Sequence, residues 1–173
     1  MNCFSIHNHE SDTINSLENL RNYYREAVKG SKMWGPTLFA PILSQMDSLT
    51  RSSEDHPMYH CLLILTDGNV NDFRKTVDLI VELTNQPLSI IIVGIGNADF
   101  TALETLDADE FDLVDSNNET AKRDIVQFVA LRDFQYEENG ETITEIDKLA
   151  EAVLAEVPDQ LVGFMQSRNI SPG

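Results

Sequence analysis

The stretch at residues 59–68 reads YHCLLILTDG and decides which class of fold the chain can adopt. Its apolar run, Cys61–Leu65, does not alternate with polar residues, which is the pattern of a strand buried on both faces of a parallel sheet. Thr66, Asp67 and Gly68 then change abruptly to polar, turn-forming chemistry. Ligands of open parallel α/β sheets bind outside the carboxyl ends of the strands, so Asp67 lies where a binding residue is expected.

A second apolar run, LSIIIVGIG at residues 88–96, has the same character. Between the two runs, FRKTVDLIVELTN at residues 73–85 places apolar residues at helical spacing and ends before Pro87. Strand, helix and strand in this order are typical of a βαβ unit. The sequence therefore predicts an α/β fold with a parallel sheet.

The remaining predicted elements are mainly helical. In chain order they are a helix over 12–30 capped at Ser11 or Asp12, a helix over 38–51 with Pro41 in its first turn, a short helix over 98–109 with Phe100, Leu103 and Leu106 facing inward, extended segments over 111–116 and 125–134, a loop over 137–143 with a turn at Asn139 and Gly140, and a helical pattern over 144–169 kinked or restarted at Pro158. No internal repeat or linker divides them, which favours one domain over residues 1–173.

Composition limits the classes of partner. The 173 residues include 29 acidic and 12 basic side chains, which give a formal net charge of -17. This charge disfavours binding to nucleic acid and direct binding to anionic lipid. No apolar run is long enough to span a bilayer, and the start of the chain does not have the pattern of a secretory signal. We therefore expect a cytoplasmic protein in which Cys3 and Cys61 are reduced.

Two side chains suggest a cation site. Thr37, in a turn that leads into a helix, and Asp67, after its strand, are both hard oxygen ligands of the kind that Mg²⁺ or Mn²⁺ prefers. Gly35 and Gly68 beside them would allow tight loops around an ion. The same pattern also fits an alternative in which Thr37 only caps its helix and Asp67 only forms the turn.

Five segments in the same order resemble the von Willebrand factor A-like domain of copines: WGPTLFAPIL, YHCLLILTDG, LSIIIVGIGNADF, RDIVQFVALRDF and LAEAVLAEVPDQLVGFMQSRNISP. The resemblance implies a Rossmann-like αβα domain, with a mostly parallel sheet, that binds partner proteins and carries a metal ion dependent adhesion site. Thr37 and Asp67 match two elements of that site, whereas its Asp-x-Ser-x-Ser sequence occurs nowhere in the chain. We therefore expect a partial A domain without its first strand and helix, whose incomplete site binds Mg²⁺ or Mn²⁺ weakly if at all.

The resemblance also sets the functional expectation. It implies a non-enzymatic, intracellular protein-interaction module whose loops at 35–38, 67–72 and 95–99 meet at one rim and contact the partner protein. Copines carry two C2 domains that bind phospholipid with calcium, and this chain has neither, so we expect no direct membrane binding by it. Peripheral association with the plasma membrane belongs to a full-length copine. The alternatives are a fragment of a calcium-responsive membrane adaptor, or a metal-dependent phosphotransferase. The missing strand predicts an unpaired sheet edge and an uncovered apolar face.

Other motifs favour ordinary structure over chemistry. GIGNAD at 94–99 is similar to a dinucleotide fingerprint, but Asp99 stands where the last glycine belongs and would repel a pyrophosphate. His56, His60 and Cys61 have unsuitable spacing for zinc, because Pro57 interrupts them and Cys61 is predicted to point into a buried strand. The acidic segment DADEFD at 107–112 does not match a calcium-binding loop and indicates a solvated face.

Overall fold

The computed structural model describes residues 5–6, 13–31, 35–52, 58–108 and 112–171. Its helices and strands are, in chain order, α1 Leu17–Gly30, α2 Ala40–Ser52, β1 His60–Thr66, α3 Phe73–Leu83, β2 Leu88–Gly94, α4 Thr101–Asp107, β3 Val126–Ala130, a 3-10 helix Leu131–Phe134, β4 Gln135–Glu138, β5 Glu141–Thr144, α5 Ile146–Leu154 and α6 Val157–Ser167. None of the helices in these ranges is both long enough and apolar enough to cross a bilayer.

The main sheet has three parallel strands in the order β1-β2-β3. The register pairs His60 with Leu88 at one end of β1 and Thr66 with Gly94 at the other, and β3 continues it on the far side of β2. Every residue of β2 is buried. The predicted α/β class and the parallel βαβ unit are therefore confirmed.

The hydrophobic core lies between this sheet and the helices α2, α3 and α4. Leu62 and Ile64 of β1 pack against it from the sheet. The inward positions predicted for α4 are correct, since Phe100, Leu103 and Leu106 are at most 1% exposed. The other buried apolar members are Phe39, Leu43, Met46, Val77, Ile80, Val81, Leu83, Leu88, Ile90, Ile92, Leu113, Ile125, Val126 and Ala130.

The outer face of β1 corrects a prediction. Cys61, Leu63 and Leu65 face solvent, and the two leucines are 55% and 62% exposed, so the strand is not buried on both faces. Alternate residues of a strand point to opposite faces, and β1 has a neighbouring strand only at β2 within the described part of the chain. The apolar run indicates that these side chains suit a buried position. It does not indicate whether another segment of this chain packs over them.

The two edges of the sheet differ in how their backbone donors are used. At β3 the outward N–H of Val126 donates to the Asp124 carboxylate at 3.0 Å, and that of Phe128 donates to Asp107 at 2.9 Å. At β1 the N–H of His60 points toward β2 and donates to the carbonyl of Pro87. Because backbone N–H groups alternate in direction along a strand, those of Cys61, Leu63 and Leu65 point away from β2. Carboxylates therefore cap β3, whereas no strand within the described ranges pairs with the outer edge of β1.

The first helix starts later than predicted. Ser16 caps it by accepting from the N–H of Asn19 at 3.2 Å, so the expected cap at Ser11 or Asp12, which lie outside the described residues, is wrong. The helix has its apolar stripe but no buried residue, and Leu17 is 79% exposed. Helical spacing thus identifies the helix correctly without identifying a surface that covers it.

Three further predictions concern the second half of the chain. The strand expected at 111–116 is reduced, within the described residues, to a single antiparallel bridge between Val114 and Thr120. The extended segment at 125–134 is β3 followed by the 3-10 helix, and the turn at Asn139 and Gly140 joins two short strands rather than lying in a plain loop. The helical pattern restarts at Val157–Ser167 with Pro158 in its first turn, as expected.

At the amino ends of the strands, Arg123 forms hydrogen bonds to the loop that connects α3 to β2. Its guanidinium donates to the carbonyls of Thr84, Gln86 and Leu88 at 2.6–3.0 Å and lies 5.3 Å from the centre of the Phe164 ring. The arginine therefore satisfies backbone acceptors of the fold.

At the opposite, carboxyl ends, Phe100 packs directly against glycine backbone. A Cβ added at Gly94 would lie 2.8 Å from Cζ of the Phe100 ring, closer than carbon atoms can approach. The ring is 1% exposed and has little room to move. Gly94 is therefore required by packing.

We predict that Gly94→Ala lowers the free energy of unfolding by about 1–3 kcal/mol, because the added methyl group overpacks the site against Phe100. Gly163→Ala is the matched control, since a Cβ at this exposed position in α6 meets nothing within 4 Å. The control should stabilise the helix by about 0.5–1 kcal/mol. Chemical denaturation measures both variants, and equal unfolding midpoints for the two would contradict the packing argument.

Candidate functional site

Thr37 is held at the carboxyl end of the sheet by the loop that follows β1. The backbone N–H of Thr37 donates to Oδ1 of Asn71 at 2.7 Å, and the N–H of Asn71 donates back to the carbonyl of Thr37 at 2.9 Å. Asn71 lies four residues after Asp67. The loop at 35–38 therefore lies beside the loop at 67–72.

Asp72 strengthens this junction. Its Oδ1 and Oδ2 accept from the N–H groups of Phe39 and Ala40, each at 2.9 Å, and so cap the start of α2 from a distant part of the chain. The hydroxyl of Thr76 donates to the same carboxylate at 3.3 Å. A negative charge at a helix N-terminus also interacts favourably with the helix dipole.

The third loop, 95–99, is joined to the loop at 67–72 through Phe100, the residue that follows it. The ring of Phe100 lies under Gly68, where an added Cβ would be 2.8 Å from the ring and 3.0 Å from the Cβ of Ala98. Gly68 has φ +113°, a backbone conformation that glycine adopts without strain. The N–H of Ile95 also donates to the carbonyl of Thr66 at 2.8 Å. We call the cluster formed by loops 35–38, 67–72 and 95–99 the rim.

Arg132, in the 3-10 helix, supports the rim from the side of β3. Its guanidinium carbon lies 4.6 Å from the centre of the Phe100 ring, a cation–π distance, and its Nη1 donates to the carbonyl of Ala98 at 2.8 Å. The segment after β3 is therefore coupled to the loop after β2. Arg132 lies outside the three loops expected at the rim, and Asp72 lies within the expected loop 67–72 but was not singled out as a site residue. Asp72 directly precedes α3, which in the sequence suggests a cap of α3. Its carboxylate instead caps α2.

Asp99 forms its bonds locally, with Thr101 at the start of α4. Its Oδ1 accepts from the hydroxyl of Thr101 at 2.6 Å and from the N–H of Thr101 at 3.0 Å. These bonds, that of the hydroxyl most strongly, lower the pKa of Asp99 from its usual value. The exposed residue is therefore a fixed negative charge on the rim.

Asp67 is an exposed residue of the loop 67–72, and Thr37 is a half-buried residue of the loop 35–38 that bonds to Asn71. Within the ranges that the structure describes, no three His, Cys, Asp or Glu side chains are grouped so that they could hold a metal ion. One hydroxyl and one carboxylate leave most of the coordination shell of Mg²⁺ to water. The described residues therefore fit a resident ion poorly, and the role of Thr37 and Asp67 as incomplete ligands stays a prediction.

Cys61 gives no support to thiol chemistry. Its side chain faces solvent on the outer face of β1, not the sheet interior as predicted, while desolvation raises the pKa of its thiol. The thiolate, which is the nucleophile and the metal ligand, is thereby disfavoured.

We predict that Asp72→Ala lowers the free energy of unfolding by about 0.5–2 kcal/mol, as for loss of a helix cap. The N–H groups of Phe39 and Ala40 should also exchange faster with solvent hydrogen, because their shared acceptor is lost. Asp99→Ala is the control: it removes a rim carboxylate that bonds to Thr101 at the start of α4, and it should leave exchange in α2 unchanged. Unaltered exchange at Phe39 and Ala40 in the Asp72 variant would refute the proposed capping.

Comparison with known proteins identifies the family. The family model described as Copine matches residues 1–173, the whole chain. Protein BONZAI 2 of Arabidopsis thaliana is 40% identical over 177 residues, which cover 98% of this chain and 28% of that protein. Protein BONZAI 1 of the same plant is 37% identical, over 98% of this chain and 29% of that protein.

A third relative comes from an animal. Nicotinic receptor-associated protein 1 of Caenorhabditis elegans is 40% identical over 155 residues, which cover 86% of this chain and 24% of that protein. The chain thus spans less than a third of the length of each of these curated relatives. Because the family model matches the chain from end to end, the chain belongs to the copine family.

Proposed function

We propose that the chain is a non-enzymatic protein-interaction module that contacts its partner through the rim. The observation that carries this proposal is the way three loops, separated in sequence, are held together by bonds from Asn71 and Asp72 and by the buried ring of Phe100. Such a rim is arranged before any partner arrives, so binding orders few additional groups.

The exposed side chains of the rim define the chemistry of the partner. Asp67 and Asp99 contribute negative charge, and Ile95 contributes an apolar contact that is 43% exposed. The whole chain carries a formal charge of -17, which favours approach of a positively charged surface. We therefore propose a partner protein with a basic patch around an apolar pocket.

The proposal extends to the longer proteins of the family. The name of Nicotinic receptor-associated protein 1 supports a partner that is a receptor or part of a receptor assembly. Association with the cytoplasmic face of the plasma membrane would then come from the partner or from other parts of a longer protein. A calcium-responsive membrane adaptor is the second candidate. It requires further domains, and the greater length of the relatives is consistent with such domains in a longer protein.

Crosslinking in cells tests the use of the rim. A photoreactive residue at Asn97, on the rim, should capture a discrete protein, whereas one at Asp159, an exposed position in α6 at the other end of the sheet, should not. Ile95→Lys should reduce the yield from Asn97 severalfold, since it replaces an apolar contact and opposes a basic partner by charge. Capture with equal yield from Asp159, or an unchanged yield with Ile95→Lys, would overturn the proposal.

A separate measurement tests the metal. Calorimetric titration of the purified chain with Mg²⁺, Mn²⁺ and Ca²⁺ should show no tight binding, and Asp67→Ala should change the heats little, because two ligands cannot replace the hydration shell of the ion. Asp112→Ala provides a control for nonspecific attraction of cations to acidic side chains. Tight binding that Asp67→Ala abolishes and Asp112→Ala preserves would show that the rim is a functional metal site.

A further inference from the structure

The hairpin formed by β4 and β5 ends in the dipeptide Asn139-Gly140, which occurs once in the sequence. The two residues form the whole loop between Glu138 and Glu141 and have φ of +54° and +82°. Positive φ at both central residues is the geometry of a type I′ turn, for which Asn-Gly is the preferred pair. The structural role of the dipeptide is therefore to reverse the chain.

The same dipeptide brings together the two groups needed for an intramolecular reaction. The side-chain amide carbon of an asparagine is an electrophile, and the backbone nitrogen of the next residue can attack it to close a five-membered ring. Glycine has no Cβ to obstruct this approach. Asn139 and Gly140 are both exposed, so water and base reach them freely.

The hairpin forms its own two-stranded sheet, separate from the three-stranded one, and all four residues of β4 are exposed. Two side-chain bonds, both exposed to solvent, join its strands: Thr142 donates to Glu137 at 2.6 Å, and Gln135 donates to Thr144 at 3.2 Å. An isolated two-stranded hairpin is marginally stable in water. Glu138 and Glu141 lie directly opposite each other beside the turn, and like charges in that position destabilise the pairing. Local opening therefore releases Asn139 from the turn geometry without unfolding the core.

We propose that Asn139 is a site of spontaneous deamidation that converts the hairpin turn into a mixture of aspartate and isoaspartate. The Gly140 nitrogen loses its proton and forms a bond to Cγ of Asn139, and the side-chain nitrogen leaves as ammonia, which gives a succinimide. Water then opens the ring. Hydrolysis at Cγ restores the normal backbone as aspartate, and hydrolysis at the main-chain carbonyl leaves the backbone running through Cβ and Cγ as isoaspartate. The net change is gain of water and loss of ammonia, without oxidation.

The two products affect the hairpin differently. Aspartate followed by glycine also suits a type I′ turn, so the normal product retains the turn and adds a third carboxylate beside Glu138 and Glu141. Isoaspartate lengthens the main chain by one carbon in a two-residue loop, which no longer matches the register of the strands. The isoaspartate form therefore has an open hairpin.

The chain contains its own controls for the reaction. Asn118 and Asn169 are exposed and also have positive φ, of 64° and 56°, but Glu119 and Ile170 follow them in place of glycine. The full chain is incubated in warm neutral buffer and digested at intervals. Mass spectrometry measures deamidation at each asparagine, and labelling with isoaspartyl methyltransferase measures isoaspartate. Asn139 should react several times faster than Asn118 and Asn169, and Gly140→Ala should slow it by a similar factor.

Two outcomes would overturn the proposal. Equal rates at the three asparagines would show that the glycine confers no reactivity here. Fast reaction of Asn139 only after unfolding in urea would show that the folded turn protects it. Hydrogen exchange tests the consequence for the hairpin. Residues 135–144 should lose protection in the isoaspartate fraction and keep it in Asn139→Asp, which carries the new charge on a normal backbone. Equal protection in both would refute the opening of the hairpin.

Discussion

The architecture at the carboxyl ends of the strands depends on one packing contact, that of the Phe100 ring against the backbone of Gly68 and Gly94. The two glycines follow or end neighbouring parallel strands, and each leaves space that the ring occupies. Since the ring is almost completely buried, it sets the spacing between the loop after β1 and the loop after β2. Arg132 closes the remaining side with its guanidinium over the ring. A larger residue at either glycine would separate the two loops.

The polar bonds of the rim act in a different way from this packing. Asn71 and Asp72 accept from backbone N–H groups more than thirty residues earlier in the chain. Asn71 accepts from Thr37 in the loop before α2, and Asp72 accepts from Phe39 and Ala40 at the start of α2. Helix starts must find acceptors for these amides, from their own cap residue or elsewhere. Here the acceptor comes from the loop after β1. The conformation at the start of α2 and the position of the loop 67–72 therefore both depend on Asn71 and Asp72.

Local pattern was sufficient to predict most of the elements. Unbroken apolar runs identified β1 and β2, helical spacing identified α2, α3 and α4, and Pro158 marked the restart at α6. Burial was harder to predict, because the apolar residues of β1 and α1 have the same periodicity whether or not a neighbour covers them. The rim loops were expected from topology, since the carboxyl ends of parallel strands meet at one edge. The bonds from Asp72 and Arg132 join residues distant in sequence, and no spacing rule indicates them.

The backbone donors at the outer edge of β3 are bonded to carboxylates, whereas those at the outer edge of β1 point away from the sheet. This difference limits how copies of this chain can associate through their sheet edges. Among the described residues no strand pairs with the outer edge of β1, whereas at β3 the donors of Val126 and Phe128 are already occupied by Asp124 and Asp107. Pairing of two identical open edges is self-complementary and closes on itself around a two-fold axis. Each copy would then present only its capped edge outward. Edge pairing through β1 would thus stop at a dimer instead of extending into a fibre.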